Sequence, residues 1–452
     1  MASLYKRYFE ISPINNVTEF SSRNGVDIIN FILPSLQDVL LSTNHLHLTG
    51  TLQVNLNNAA PLEPNGDEQW GIDNTCGVHG AIDRVEITSR NGNNLIEQRL
   101  NYPIIHKMKK ATSSNKDLIV GSGSNQEVVG ENSVNVRNLL GRADLAKNGV
   151  PFSIQIDTGL LKDNAQRLNL GAIGGLELKI QLSSSENFLF NIDNGAGAAD
   201  LLDSDAFFTL RNVKLFGRYE YVAPNVSAAL QSVAFKKVDN ILQVIQSSND
   251  TIAFQPQVTS LDKIFYVFQP NNNSKNNYAT NASQMNNLVG IKNYRESRNG
   301  TLFPKDYQVD NNVAVSDLNP AISGDTQIQS GNAEQVYHLL VGLNDQYPPV
   351  HSLVSPHNEV VANADLSNFY SAATSTTNRS CSNVEGICCS YQYGFQGYAT
   401  PMQNDLIQLQ AESSVKTSDG VVNTVVRDQV QTCNTLIQYN TNLQYSNLQV
   451  SK

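Results

Sequence analysis

Charge is scarce in this sequence. Asp, Glu, Lys and Arg supply only 16% of its 452 residues, against about 25% in ordinary soluble domains. The net charge is -10 at pH 7, which argues against a protein whose main surface grips nucleic acid, because phosphate binding needs a basic face. Cysteine is sparse as well. Cys76, Cys381, Cys388, Cys389 and Cys433 are an odd set scattered along the chain, so they do not form a disulfide scaffold. No window approaches the ~20 apolar residues of a membrane helix, and the opening "MASLYKRYFEISP" has no apolar core of signal-peptide length. The expectation is a chain made in the cytoplasm or nucleus and not secreted.

Catalytic constellations are missing too. There is no Gly-x-Ser-x-Gly elbow, no phosphate-cradling loop ending in Lys-Ser or Lys-Thr, and no His-Glu-x-x-His. His45 and His47 point the same way from a strand, but no acidic or Cys partner stands at ligand spacing, so they read as surface or hydrogen-bonded imidazoles. His351 and His357 flank prolines in an irregular stretch. "CSNVEGICC" (Cys381 to Cys389) is the densest thiol cluster; its spacing suits a loop disulfide or buried thiols better than the two-to-four-residue pairs of a zinc site. No catalytic residue, cofactor-binding residue or metal ligand is therefore expected, and neither is a cofactor or small-molecule substrate.

Asparagine takes the place of charge. The chain holds 55 Asn, a residue that tolerates left-handed backbone, favours turns and is depleted from strand interiors, so many loops joining short elements are expected. Between the loops the dominant periodicity is two. "PFSIQIDTGLL" puts Phe152, Ile154 and Ile156 on one face, and "GGLELKIQL" does the same with Leu176, Leu178, Ile180 and Leu182. Such strands belong to sheets with one wet side or to sandwiches. "TIAFQPQVTSLDKIFYVFQP" (Thr251 to Pro270) and "TVVRDQVQTCNTLIQYNTNLQY" (Thr424 to Tyr445) each predict two strands. Long polar connections are expected over Pro270 to Gly331 and Thr374 to Asp405. Short helices are predicted at 132–146, 332–343 and 363–373, each with an Asn placed to cap it.

"GAIDRVEITSRNGNNLIEQRLNYP" (Gly80 to Pro103) reads as a hairpin. Asn91-Gly92 suits a two-residue type I′ turn, Val85 and Ile87 face inward with Ala81, Ile96 and Leu100 return on one side, and Tyr102-Pro103 ends the pairing. Two basic patches stand out. "YKRYF" (Tyr5 to Phe9) carries three aromatics that are costly to leave in water, and "HKMKK" (His106 to Lys110) reads as a solvated loop. A split falls near Gly217 to Ser232. It divides the chain into an N-terminal arm over 1–20, a first block over 21–223 and a second over 224–452.

In their order these features resemble the double jelly-roll major capsid proteins of small tailless double-stranded DNA viruses, in particular those of polinton-like viruses and virophages. The residues that carry the likeness are the opening segment "NFILPSLQDVLLSTNHLHLTGTLQVNL" and the hairpin with its Asn-Gly turn and terminal Tyr102. Two closing runs complete it, "LELKIQLSS...FFTLRNVKLFGRYEY" and "VVRDQVQTCNTLIQYNTNLQY". The likeness covers about Val26 to Leu448. It implies an all-β fold of two consecutive eight-stranded antiparallel jelly rolls with long loops and a few short helices. It also implies a structural protein with no active site, forming homotrimeric, pseudo-hexagonal capsomers that tile an icosahedral shell around double-stranded DNA. The partners implied are the chain itself, penton and minor capsid proteins, and an internal membrane or the genome touched by the N-terminal arm; the location implied is the virion.

Two other readings stay open on the sequence alone. A carbohydrate-binding β-sandwich protein would use Tyr391, Tyr393, Phe395 and Tyr398 to stack on sugars, although the single Trp70 counts against it. A penton or minor capsid protein would carry one roll, whereas this chain divides into two blocks of similar size.

Overall fold

The computed structural model describes residues 5–55, 68–72, 77–90, 93–106, 149–162, 167–193, 207–225, 232–245, 249–270, 291–310, 387–390, 400–402, 404–413 and 431–444. In the first half β1 (Tyr5–Ile11), β2 (Glu19–Phe20), β3 (Ile28–Leu33), β4 (Val39–Asn55), β5 (Glu68–Ile72) and β6 (Ile82–Ser89) come first. They are followed by β7 (Asn94–Leu100), β8 (Val150–Gln155), β9 (Leu168–Asn169), β10 (Leu176–Leu182), β11 (Leu189–Asp193) and β12 (Phe207–Tyr221). One sheet runs β1-β12-β4-β8 and the other β3-β10-β6-β7. Counted along the chain, these eight strands stand in the orders first-eighth-third-sixth and second-seventh-fourth-fifth. That double-sheet arrangement is a jelly roll.

The second half repeats it. β13 (Ser232–Ile245), β14 (Asn249–Phe254), β15 (Val258–Pro270), β16 (Ile291–Arg298) and β17 (Thr301–Leu302) lead to β18 (Val309–Asp310), β19 (Ile387–Ser390), β20 (Thr400–Met402), β21 (Ile407–Ser413) and β22 (Gln431–Gln444). The sheets run β13-β22-β15-β19 and β14-β21-β16-β17. With β18 and β20 as side pairings, the same two orders of eight strands return. The fold is a double jelly roll, every strand pair in it antiparallel.

Period-two patterning explains the first core. Leu176, Leu178, Ile180 and Leu182 of β10 are all buried beside Ile29, Phe31 and Leu33 of β3 and Val85 and Ile87 of β6. They pack against Leu48, Leu52 and Val54 of β4, Phe152 and Ile154 of β8, and Leu210 and Leu215 of β12 in one apolar cluster. α1 (Leu170–Ile173) turns the chain into β10. The Asn169 side chain caps it by accepting from the Ala172 N–H at 3.1 Å, and Gly174 at φ 80° stops it in the left-handed region. The second core gathers Ile252, Phe254, Leu261, Ile264, Tyr266, Tyr294, Ile407, Leu409 and Ile437.

Asparagine does what its chemistry predicts. Of the seven non-glycine residues with positive φ among the described residues, six are Asn: 16, 93, 101, 212, 299 and 404. Two expectations change. The stretch read as an N-terminal arm holds β1, which pairs with β12 from Tyr5↔Tyr221 to Ile11↔Leu215. The connections expected over Pro270 to Gly331 and Thr374 to Asp405 contain β16, β17, β18, β19 and β20. β16, "IKNYRESR", hid because it buries Glu296 beside Tyr294, so its inward face is not apolar enough to show an alternation. Of the closing segment, residues 431–444 form one strand, and residues 424–430 lie outside the described residues. The predicted helices at 132–146, 332–343 and 363–373, and the Asn91-Gly92 turn, lie outside the described residues.

Candidate assembly surfaces

The hairpin leads to a polar junction between the two rolls. β6 and β7 pair from Arg84↔Leu100 to Ser89↔Asn94, with a register shift between Ile87 and Thr88. Val85, Ile87, Ala81 and Ile96 are buried as predicted, and Leu100 is half-buried. The other face of β7 is the surprise. Glu97 and Arg99 are both 0% exposed and form an ion pair, Arg99 Nε to Glu97 Oε1 at 2.8 Å. Glu97 also accepts from the backbone N–H groups of Gly159 and Leu160, each at 2.8 Å. A carboxylate with this many donors is satisfied despite its burial.

Gly159 matters because the second roll arrives on top of it. A Cβ at this position would stand 1.8 Å from the Lys236 carbonyl oxygen of β13, so only glycine lets the two backbones approach. Beside that contact three amides join the rolls. Asn101 Nδ2 donates to Asn434 Oδ1 at 2.8 Å, and Asn240 Nδ2 donates to the same oxygen at 3.0 Å and to the Leu100 carbonyl at 3.4 Å. Val233 and Phe235 at the start of β13 enter the first roll's apolar core, and Leu443 of β22 packs on it. Tyr439 of β22 donates to Asp239 Oδ2 at 2.8 Å, and burial together with that carboxylate raises its pKa.

Under the junction lies a buried aromatic and imidazole stack. The His79 and His106 rings stand 3.6 Å apart, stacked, with Tyr102 beside both. His106 Nδ1 meets Asp157 Oδ2 at 2.9 Å, His79 Nδ1 meets the Tyr102 hydroxyl at 2.8 Å, and that hydroxyl accepts from the Asp157 N–H at 2.7 Å. The arrangement locks residues 102–106 onto the turn at 157–162, which carries Gly159. His106 therefore does not belong to a solvated loop; it is 2% exposed, and residues 107–110 lie outside the described set.

The remaining sequence candidates are placed as follows. His45 and His47 share one side of β4; His45 Nδ1 lies 3.1 Å from Ser42 Oγ. Burial lowers both imidazole pKa values, helped by Arg218 at His45 and by His45 itself at His47. Among the described residues no group of three or more His, Cys, Asp or Glu is arranged to hold a metal. Cys433 is a free, buried thiol whose pKa burial pushes up to about 12, which makes it inert. The backbone of Cys388 and Cys389 is in β19. Cys76, Cys381, His351, His357 and the aromatics Tyr391, Tyr393, Phe395 and Tyr398 lie outside the described residues. Among the described residues no helix is long and apolar enough to cross a membrane.

A second surface is apolar and open. Tyr5 and Tyr8 of β1 are 56% and 57% exposed. Tyr5 stacks on Tyr221 and Tyr8 on Phe216, while Phe9 turns inward over Tyr219. Ile14 and Val17, just after β1, are also exposed.

No family model matches the sequence, and no curated protein matches it. Solved structures do resemble the fold. The structure of the Sputnik virophage by cryo-EM superposes with a TM-score of 0.54 at 10% identity, covering 99% of this chain and 88% of that one. The Faustovirus major capsid protein gives 0.52 at 9% identity, over 98% of this chain and 91% of that one. The mavirus major capsid protein gives 0.50 at 11% identity, over 97% and 88%. With both rolls matched end to end, the chain has the double jelly-roll fold of these viral capsid proteins.

Proposed function

We propose that this chain is a major capsid protein, a structural component of a virion with no catalytic role. The observation that carries the reading is the strand order, first-eighth-third-sixth against second-seventh-fourth-fifth, built twice in one chain and fused through a buried junction. Two fused rolls present two similar blocks side by side, so three chains present six. In this reading the chain homotrimerises into pseudo-hexagonal capsomers that tile an icosahedral shell enclosing double-stranded DNA. Penton and minor capsid proteins fill its vertices and seams. We take residues 21–223 and 224–452 as the two rolls. The segment over 1–20, with Lys6 and Arg7 beside exposed tyrosines, is the part most suited to meet a neighbouring capsomer, an inner membrane or the genome.

The acidic chain also suits a shell protein made at high local concentration, since net charge opposes unspecific association. Electron microscopy of the purified protein tests the reading. Pseudo-hexagonal particles or closed shells are expected, and isolated two-lobed single chains would contradict it.

A further inference from the structure

The tetrapeptide Ser-Arg-Asn-Gly occurs three times, at residues 22–25, 89–92 and 297–300. Asparagine before glycine is chemically weak, because no side chain on the glycine shields its backbone nitrogen. That nitrogen attacks the Asn amide carbon, the C–N bond to the amide group breaks, and ammonia leaves with the hydrogen from the glycine N–H. Water then opens the five-membered imide, returning a hydrogen to the glycine nitrogen and leaving a carboxylate. The products are aspartate and isoaspartate, the latter with one extra methylene in the main chain. With the local sequence the same at each copy, any difference in this reaction comes from the fold.

Two copies have their Asn and Gly among the described residues, and they share a backbone setting. Asn24 and Gly25 lie in the turn between β2 and β3, Asn299 and Gly300 in the turn between β16 and β17, and all four residues are exposed. Both glycines have positive φ, 69° and 83°, and a Cβ at either would meet nothing within 4 Å. The Asn side chains differ. Asn299 Nδ2 donates to Asp405 Oδ1 at 2.7 Å, and Asn299 Oδ1 accepts from the Leu406 N–H at 2.9 Å. Its backbone N–H also donates to the Leu406 carbonyl at 2.9 Å, while Arg298 Nη2 holds the other Asp405 oxygen at 2.6 Å. These bonds keep the Asp405 carboxyl below its usual pKa, so the acceptor is charged at neutral pH. Among the described residues the Asn24 amide makes no hydrogen bond. The Gly25 N–H has only a long bond to the Ser22 carbonyl, 3.3 Å.

We propose that Asn24 is a site of spontaneous conversion to aspartate and isoaspartate in the folded protein, and that Asp405 and Leu406 latch Asn299 against the same reaction. For the Asn299 amide carbon to reach the Gly300 nitrogen, the amide must first leave a charged acceptor and a backbone donor. Giving up a hydrogen bond to a charged group slows the step by about tenfold or more. At Asn24 no such bond has to break. Each conversion adds one negative charge at the β2–β3 turn, whose ends stay joined by the Ser21 N–H to Val26 carbonyl bond at 2.9 Å and its reciprocal at 3.2 Å.

Peptide mapping of the full-length chain tests it, after incubation at mildly alkaline pH and with a digestion that leaves the Arg-Asn bonds uncut. In the folded protein Asn24 is expected to convert about tenfold faster than Asn299 or more, with isoaspartate among its products. In guanidinium the two should convert at similar rates, because both read Ser-Arg-Asn-Gly. Asp405→Ala should bring the Asn299 rate up towards that of Asn24, which serves as the reference within the same chain. Should that variant fail to fold, the folded and unfolded wild type still decide. Equal rates at the two sites in the folded protein, or an Asn24 that converts only when unfolded, would overturn the proposal. An unchanged Asn299 rate in folded Asp405→Ala would overturn the latch.

Discussion

β13 and β1 are each the first strand of a roll, each bonded to the eighth, and each lays an aromatic on the first roll's core, Phe235 from the neighbouring roll and Phe9 from within it. Their outer faces differ. β13 meets the first roll with a backbone contact at Gly159 and the shared amides of Asn240 and Asn434, while β1 shows Tyr5 and Tyr8 to solvent. A covered first strand can carry polar groups, because the neighbour satisfies them permanently. β1, whose Tyr5 and Tyr8 are exposed, offers aromatic area instead, which gains on burial without leaving a charged group unpaired before it.

The largest effect is expected where β13 is covered. Glu97→Ala leaves the Arg99 guanidinium buried without its carboxylate and strips an acceptor from Gly159 and Leu160, so stability should fall by about 3 to 5 kcal/mol. Guanidinium melts measure it. The double change Glu97→Leu with Arg99→Met should lose much less, which separates the charge from the packing. Next, Gly159→Ala forces its Cβ into the Lys236 carbonyl and should cost about 1 to 3 kcal/mol. The same substitution at Gly300, where a Cβ meets nothing within 4 Å, should cost less despite its φ of 83°.

The smallest effect concerns pH. The His47 pKa lies below its ordinary 6.5 because burial disfavours the charged ring. Below pH 6.5 the unfolded chain binds the proton more readily than the folded one, so stability falls as the pH drops through that range. His47→Gln should flatten this acid limb in melts taken between pH 7 and pH 5. An unchanged limb would assign the loss to other groups.

Much of the first roll was legible in the sequence. Strands such as β10 bury one clean face, and period two is then visible to the eye, as it was for Phe152, Ile154 and Ile156. The fifth and sixth strands of the second roll were not. β17 has two residues and β19 four, lengths at which composition gives no period, and β16 points Glu296 inward to take the Tyr266 hydroxyl at 3.0 Å. The junction was invisible for a related reason. Glu97 and Arg99, alternating along β7, look like solvent-facing charges, and only the arrival of residues 157–162 and of β13 buries them. Likewise His79 and His106 are far apart in sequence and carry no spacing signal. The three aromatics of "YKRYF" did point to docking, though not to a strand.

Under the proposed function this double roll is a building block completed by copies of itself. The mass of the full-length protein at micromolar concentration and neutral pH tests it most directly. Three times the chain mass of 49.6 kDa is predicted. A monodisperse single chain with folded β-type circular dichroism would contradict it.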